Sequence, residues 1–134
     1  MPLKTKENIS LIGAGLSGPV MATYLSSLGF STDIYESRSD MRTNSTSAGR
    51  SINLALSARG IKALKDIGVY EKIKPTLIPM SGRMIHDGNG DVHLQPYGQK
   101  KNEVIFSVPR SNLNKILMDY AESTNSVKIN FDHE

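Results

Sequence analysis

Ile9-Ser10-Leu11-Ile12-Gly13-Ala14-Gly15-Leu16-Ser17-Gly18 carries an apolar strand straight into a G-x-G-x-x-G turn. An amphipathic stretch follows, and then Ser31-Thr32-Asp33-Ile34-Tyr35-Glu36, a second strand that ends in an acid. Strand, glycine turn, helix, strand and acid in this order form the dinucleotide-binding fingerprint in its required context. Gly13 permits the tight turn, Gly15 lets backbone approach a pyrophosphate, and Gly18 lets the helix pack against the strand. The free amides at the start of the helix, with the positive end of its dipole, face phosphate oxygens. Glu36 stands where a carboxylate accepts hydrogen bonds from a ribose diol. Pro19 falls in the first helical turn, where a missing amide is tolerated.

Outward from this unit, Val20, Met21, Tyr24, Leu25 and Leu28 recur at helical spacing and predict the buried face of the first helix, which Gly29 stops. Residues 41–49 are rich in Ser, Thr and Asn and read as a loop. Ser57 is placed to cap a helix whose Ile61, Leu64 and Ile67, with Ala63, face inward, and Gly68 ends it. Residues 83–87 and 92–94 flank Gly88-Asn89-Gly90, a hairpin signal. His86 and His93 are expected to pair across that hairpin and are given no catalytic role. Residues 104–108 read as a strand, a helix starts at Ser111 with Leu113, Ile116, Leu117 and Tyr120 as its apolar positions, and Val127, Ile129 and Phe131 alternate as a final strand. The fold class is α/β, a Rossmann-like FAD-type βαβ unit with an inserted β segment. Residues 1–75 are expected to hold the βαβ unit and the next helix, 76–108 a substrate-side β segment, and 109–134 a helix and strand that return to the nucleotide domain. Only the first half of a dinucleotide fold is expected within these residues, as in the N-terminal part of a longer polypeptide, and by themselves they are expected to be catalytically silent.

Composition narrows the chemistry. With 134 residues, one domain with a real core is possible, but not two full ones. There is no cysteine, so this stretch has no disulfide framework, thiolate metal site or cysteine nucleophile. Sixteen basic against thirteen acidic residues give a net charge of +3, without the interleaving of basic and aromatic residues that a nucleic-acid groove needs. No nucleic-acid partner, metal or membrane span is expected, and the first eight residues lack the apolar core of a secretory signal. A cytoplasmic setting is expected, with membrane association through a later segment left open; oligomeric state is not legible.

The segment from Gly49 to Gly60, with Arg50, Asn53, Leu54 and Ala55 in it, resembles the stretch after the second strand of flavin-dependent aromatic hydroxylases. Within that class the chain is similar to the family that hydroxylates kynurenine, through Pro79-Met80-Ser81-Gly82-Arg83-Met84-Ile85-His86-Asp87, Pro96-Tyr97-Gly98, and Arg110 with Leu113-Asn114. The resemblance runs from about Ile9 to His133. It implies bound FAD, NADPH as co-substrate, and conversion of L-kynurenine and O2 to 3-hydroxykynurenine through a C4a-hydroperoxyflavin. In that scheme the protein supplies position and electrostatics while the cofactor makes the bonds, so no catalytic residue is assigned.

The resemblance also implies the site. Gly13, Gly15, Leu16, Ser17, Gly18, Tyr35, Glu36, Ser37, Arg38, Ala55 and Arg110 are the cofactor-binding positions. Arg38 matches a residue near the adenosine half, Ala55 a small residue under the flavin, and Arg110 an FAD-contacting arginine. Arg83 matches an arginine that binds the amino-acid carboxylate of kynurenine, and Tyr97 a tyrosine at the same group; a guanidinium offers such a carboxylate two parallel bonds. Glu36 says nothing of the nicotinamide, since FAD takes its site. Two alternatives stay open: a flavoprotein hydroxylase for another aromatic substrate, and a non-catalytic dinucleotide-binding module.

Overall fold

The computed structural model describes residues 7–43 and 52–134. The fingerprint folds as its spacing predicts. Strand β1 (Asn8–Ile12) enters the turn, helix α1 (Ser17–Ser27) leaves it, and β2 (Ser31–Tyr35) returns parallel to β1. A third parallel strand, β8 (Val127–Asn130), joins the far side of β2, giving the order β1-β2-β8. Between β2 and β8 the chain leaves this sheet and comes back along helix α4 (Arg110–Glu122). The architecture is therefore a mixed α/β fold around a parallel, Rossmann-like sheet.

One face of this sheet is covered. Thr32, Ile34, Val127 and Ile129 are buried, whereas the alternate positions are half-buried or exposed. Ala22 of α1 with Met118 and Ala121 of α4 complete that core. The inner face of α1 differs from expectation. Pro19, Ala22 and Thr23 are buried, while Met21, Tyr24 and Leu28 are about half exposed. The reason is proximity: a Cβ at Gly18 would strike the Gly13 carbonyl oxygen, so α1 lies directly on the strand ends and only small side chains fit beneath it. Gly29 ends the helix with a φ of 92°, as its position predicts.

The long excursion builds a second sheet that only partly follows the sequence reading. Strand β3 (Asn53–Leu56), where the sequence predicts no element, pairs antiparallel with β7 (Ile105–Pro109), and β4 (Ile78–Met80) pairs with β7 on its other side. Helix α2 (Ala58–Asp66) and the short α3 (Tyr70–Ile73) pack on them. Ser57 occupies the N-cap of α2 but makes no side-chain cap bond, and Ala63 is exposed, not inward. A core of Leu64, Val69, Ile73, Val108, Leu113 and Leu117 results, so α4 serves both sheets from adjacent stripes.

The hairpin β5 (Gly82–His86) and β6 (Val92–Pro96) forms a separate two-stranded sheet with almost every residue exposed. His86 faces Val92 and Ile85 faces His93, so the two histidines do not pair; the five-residue loop sets a register one step from the expected one. Asp87 closes the loop by accepting the amides of Asn89 and Asp91 through Oδ1. No helix among the described residues is long and apolar enough to cross a membrane.

Candidate functional site

The turn between β1 and α1 has three glycines in three different situations. Gly13 has a φ of 95°, which a side chain rarely adopts, and its amide donates to the Tyr35 carbonyl at 2.7 Å, pinning the turn to the end of β2. Gly15 needs no unusual φ, and nothing stands within 4 Å of where its Cβ would be. The protein itself therefore does not demand glycine there, while a ligand seated on the backbone would. Gly18 is the packing glycine described above. Leu16 precedes the helix and Ser17 opens it, and neither makes a side-chain cap bond.

Glu36 follows β2 and is 5% exposed. Its carboxylate receives four donors. The Arg38 amide and Nε reach Oε1 at 2.9 and 2.8 Å, and the Ala14 amide and Arg38 Nη2 reach Oε2 at 2.8 and 3.3 Å. The Arg38 guanidinium foremost, then the amides of Arg38 and Ala14, hold its carboxyl at about 2, against the upward push of burial. The anion is thus secured at any ordinary pH. Two of its four donors belong to a side chain 73% exposed, which is cheap to move.

A cavity of about 460 Å³ opens beside this carboxylate. Ala14, Glu36, Ser37 and Arg38 line it, with Met41 and residues of the far end of the sheet and of α4, among them Asn114, Met118 and Phe131. Tyr35, the last residue of β2, does not line it; its ring is edge-on to His133 with centroids 5.5 Å apart. The rim is braced by Arg42, whose guanidinium meets Asp40 at 2.7 Å, Asp119 at 2.9 Å and Glu122 at 2.6 Å. These partners, Asp40 first, raise its pKa, and Arg42 holds the Asp40 carboxyl below its usual range. This brace ties the segment after β2 to α4.

The remaining expected residues are dispersed. Leu16 and Ser17 line a different, largely apolar cavity of about 460 Å³ between α1 and α2, which also takes the exposed Met21 and Tyr24. Ala55 is exposed on β3, and Arg110 is exposed at the start of α4, its amide donating to the Ile52 carbonyl. Arg50 lies outside the described residues. Arg83 is exposed on the hairpin, and its Nε donates to Gln95 Oε1 at 2.7 Å. Tyr97, half exposed, lines a cavity of about 760 Å³ against α2 that Arg83 does not reach. Arg83 pairs with Gln95 in register and the Tyr97 amide continues the ladder to Ser81, so alternation sets Arg83 and Tyr97 on one face. Sequence reasoning missed Asn114 and Arg42. Asn114 stands in the sequence only as a neighbour of Leu113 behind Arg110, and nothing local distinguishes either residue from a surface side chain.

A family model described as FAD binding domain matches residues 6–134. The chain is 43% identical over 126 residues to kynurenine 3-monooxygenase of Legionella pneumophila (strain Corby), covering 94% of this chain and 28% of that protein. It is 44% identical over 129 residues to kynurenine 3-monooxygenase of Sus scrofa, covering 96% and 27%. The chain thus spans little more than a quarter of the length of these relatives. Among solved structures, p-nitrophenol 4-monooxygenase from Pseudomonas putida superposes with a TM-score of 0.76 at 18% identity, over 98% of this chain and 33% of that one. The tetrameric form of 2-methyl-3-hydroxypyridine-5-carboxylic acid oxygenase gives 0.79 at 18% identity, over 97% and 32%. These two likenesses speak to the fold alone.

Proposed function

The chain belongs to the FAD binding domain family, and from that premise we propose that it holds the adenosine and pyrophosphate of FAD in a kynurenine 3-monooxygenase. The observation that carries the reading is the open backbone at Gly15 beside a buried, ionised Glu36, with a cavity at that carboxylate. The residues fit the group: the turn offers amides to a pyrophosphate, and Glu36 offers acceptors to a ribose diol. FAD, when bound, supplies the redox chemistry, taking electrons from NADPH and passing them to dioxygen.

This chain's own residues bind and orient. Gly13 shapes the turn and Gly15 keeps its surface bare, while Leu16, Ser17 and Gly18 begin the helix whose positive end meets phosphate. Glu36 would hold the ribose, its carboxylate kept in place by the amides of Ala14 and Arg38, and Arg38 would stand at the adenosine half with an exposed side chain. Ser37 and Tyr35 flank that sugar. Ala55 and Arg110 are assigned to the flavin side, on the strength of the resemblance. Arg83 clamps the carboxylate of L-kynurenine, and Tyr97 adds a hydroxyl from the same face of the hairpin. Support for this pair is that alternation, with the Arg83 terminal nitrogens lacking a hydrogen-bond partner among the described residues. Residues 76–108 then form the substrate-side segment between two parts, about 1–75 and 109–134, that serve the cofactor. The proposal includes a cytoplasmic setting.

Two measurements test it. Purified chain titrated with FAD should quench flavin fluorescence saturably. A chimera in which this segment replaces the matching part of the Legionella relative should oxidise NADPH in response to kynurenine and yield the 3-hydroxy product. A chimera that binds FAD yet turns over only other aromatic substrates would replace kynurenine in the reading.

A further inference from the structure

Asn114 lies one turn into α4, a hundred residues from the glycine turn, and is 7% exposed. Its Nδ2 donates to the Ala14 carbonyl at 3.1 Å and lies 3.3 Å from Met41 Sδ. Its Oδ1 is buried and has no partner among the described residues. An unpaired buried acceptor is unfavourable, so what recommends an amide here is its Nδ2, which supplies the Ala14 carbonyl with a donor that an apolar side chain would lack.

Ala14 is held from two sides. Its N–H is bonded to Glu36 from β2, and its C=O to Asn114 from α4. The Ala14 carbonyl and the Gly15 N–H belong to one planar trans peptide, in which they point in opposite directions. A carbonyl anchored on Asn114 therefore turns the Gly15 N–H away from α4. That N–H has no acceptor among the described residues, and the space at Gly15 is open.

We propose that Asn114 is a positioning residue of the cofactor site, which fixes the Ala14–Gly15 peptide so that the Gly15 N–H is presented to the pyrophosphate. This rests on the reading of the turn as an FAD cradle. It assigns Asn114 to the phosphates and leaves the sugar to Glu36, so the two are separable with ligands that carry or lack phosphate.

The test uses the 134-residue chain with ADP and adenosine as probes, read by calorimetry and by the Gly15 amide resonance. Asn114→Leu should weaken ADP about tenfold and adenosine less than about twofold, with the shift of the Gly15 amide on ADP addition lost. ADP and adenosine weakened together, or neither weakened, would overturn the proposal. Asn114→Asp is the second variant. At pH 7 its carboxylate faces the Ala14 carbonyl and ADP binding should fall as in Asn114→Leu. Adenosine binding should stay within about twofold of the unsubstituted chain in this variant too. Should Asn114→Leu not fold, Asn114→Asp at pH 7 decides alone, and unchanged ADP binding in it counts against the proposal. Binding of neither FAD nor ADP by the unsubstituted chain would sink the cofactor reading itself, and the proposal with it.

Discussion

Replacing Glu36 with Gln separates the charge of the site from its shape. The amide keeps the volume but loses the anion and turns an NH2 group toward donors that now lack an acceptor. In the folded chain the carboxyl sits at about 2 instead of 4.5. That drop corresponds to about 3 kcal/mol of folding stability when the group is fully ionised. Arg38, the largest cause, has a side chain 73% exposed, so solvent screens its share and about 1–2 kcal/mol is expected in practice. The sign follows from the depressed folded value: the stabilisation is whole above about pH 4.5 and drains as pH falls toward about 2. Urea unfolding followed by far-ultraviolet circular dichroism should show Glu36→Gln less stable by this amount at pH 7. The gap should close on acidification, and Arg38→Met should close part of it at pH 7 by lifting the Glu36 carboxyl toward its ordinary value. A gap of the same size at pH 7 and at about pH 2.5 would refute the charge argument, and no gap at pH 7 would mean that the carboxylate is not engaged as described.

Gly15→Leu should leave the thermal midpoint within a few degrees, because the space beside it is open, yet abolish FAD retention; stoichiometric FAD on that variant would refute the cradle. Arg42→Met leaves Asp40, Asp119 and Glu122 without their shared cation and should destabilise the chain by about 2–3 kcal/mol in urea unfolding, with Arg42→Lys restoring little. A loss below about 0.5 kcal/mol would show the cluster to be an ordinary surface network. In the chimera with the Legionella relative, Arg83→Ala should raise the KM for kynurenine about thirtyfold with flavin content unchanged, and Arg83→Lys should rescue little. Equal losses for kynurenine and its decarboxylated analogue would show that Arg83 does not hold the carboxylate.

The sequence by itself determined what depends on neighbours along the chain. A left-handed φ at Gly13 and Gly29, the strand-turn-helix-strand unit and the acid after β2 all follow from backbone sterics and periodicity, which act over a few residues. The hairpin was legible for the same reason, though its register was not, since one residue of loop length decides which side chains face each other. Only the tertiary structure decided which distant groups meet. Strand β3 is four residues long and becomes a strand by pairing with β7, about fifty residues later. The buried face of α1 fell to Ala22 and Thr23 over its larger apolar residues, because distance to the sheet, not hydrophobicity, selects what fits. Asn114 and Arg42 are polar residues with no local signature, and their roles exist only where α4 comes back against the glycine turn and the segment after β2. Local sterics repeat wherever the same residues occur, whereas a bond between positions a hundred residues apart depends on the path of the whole chain between them.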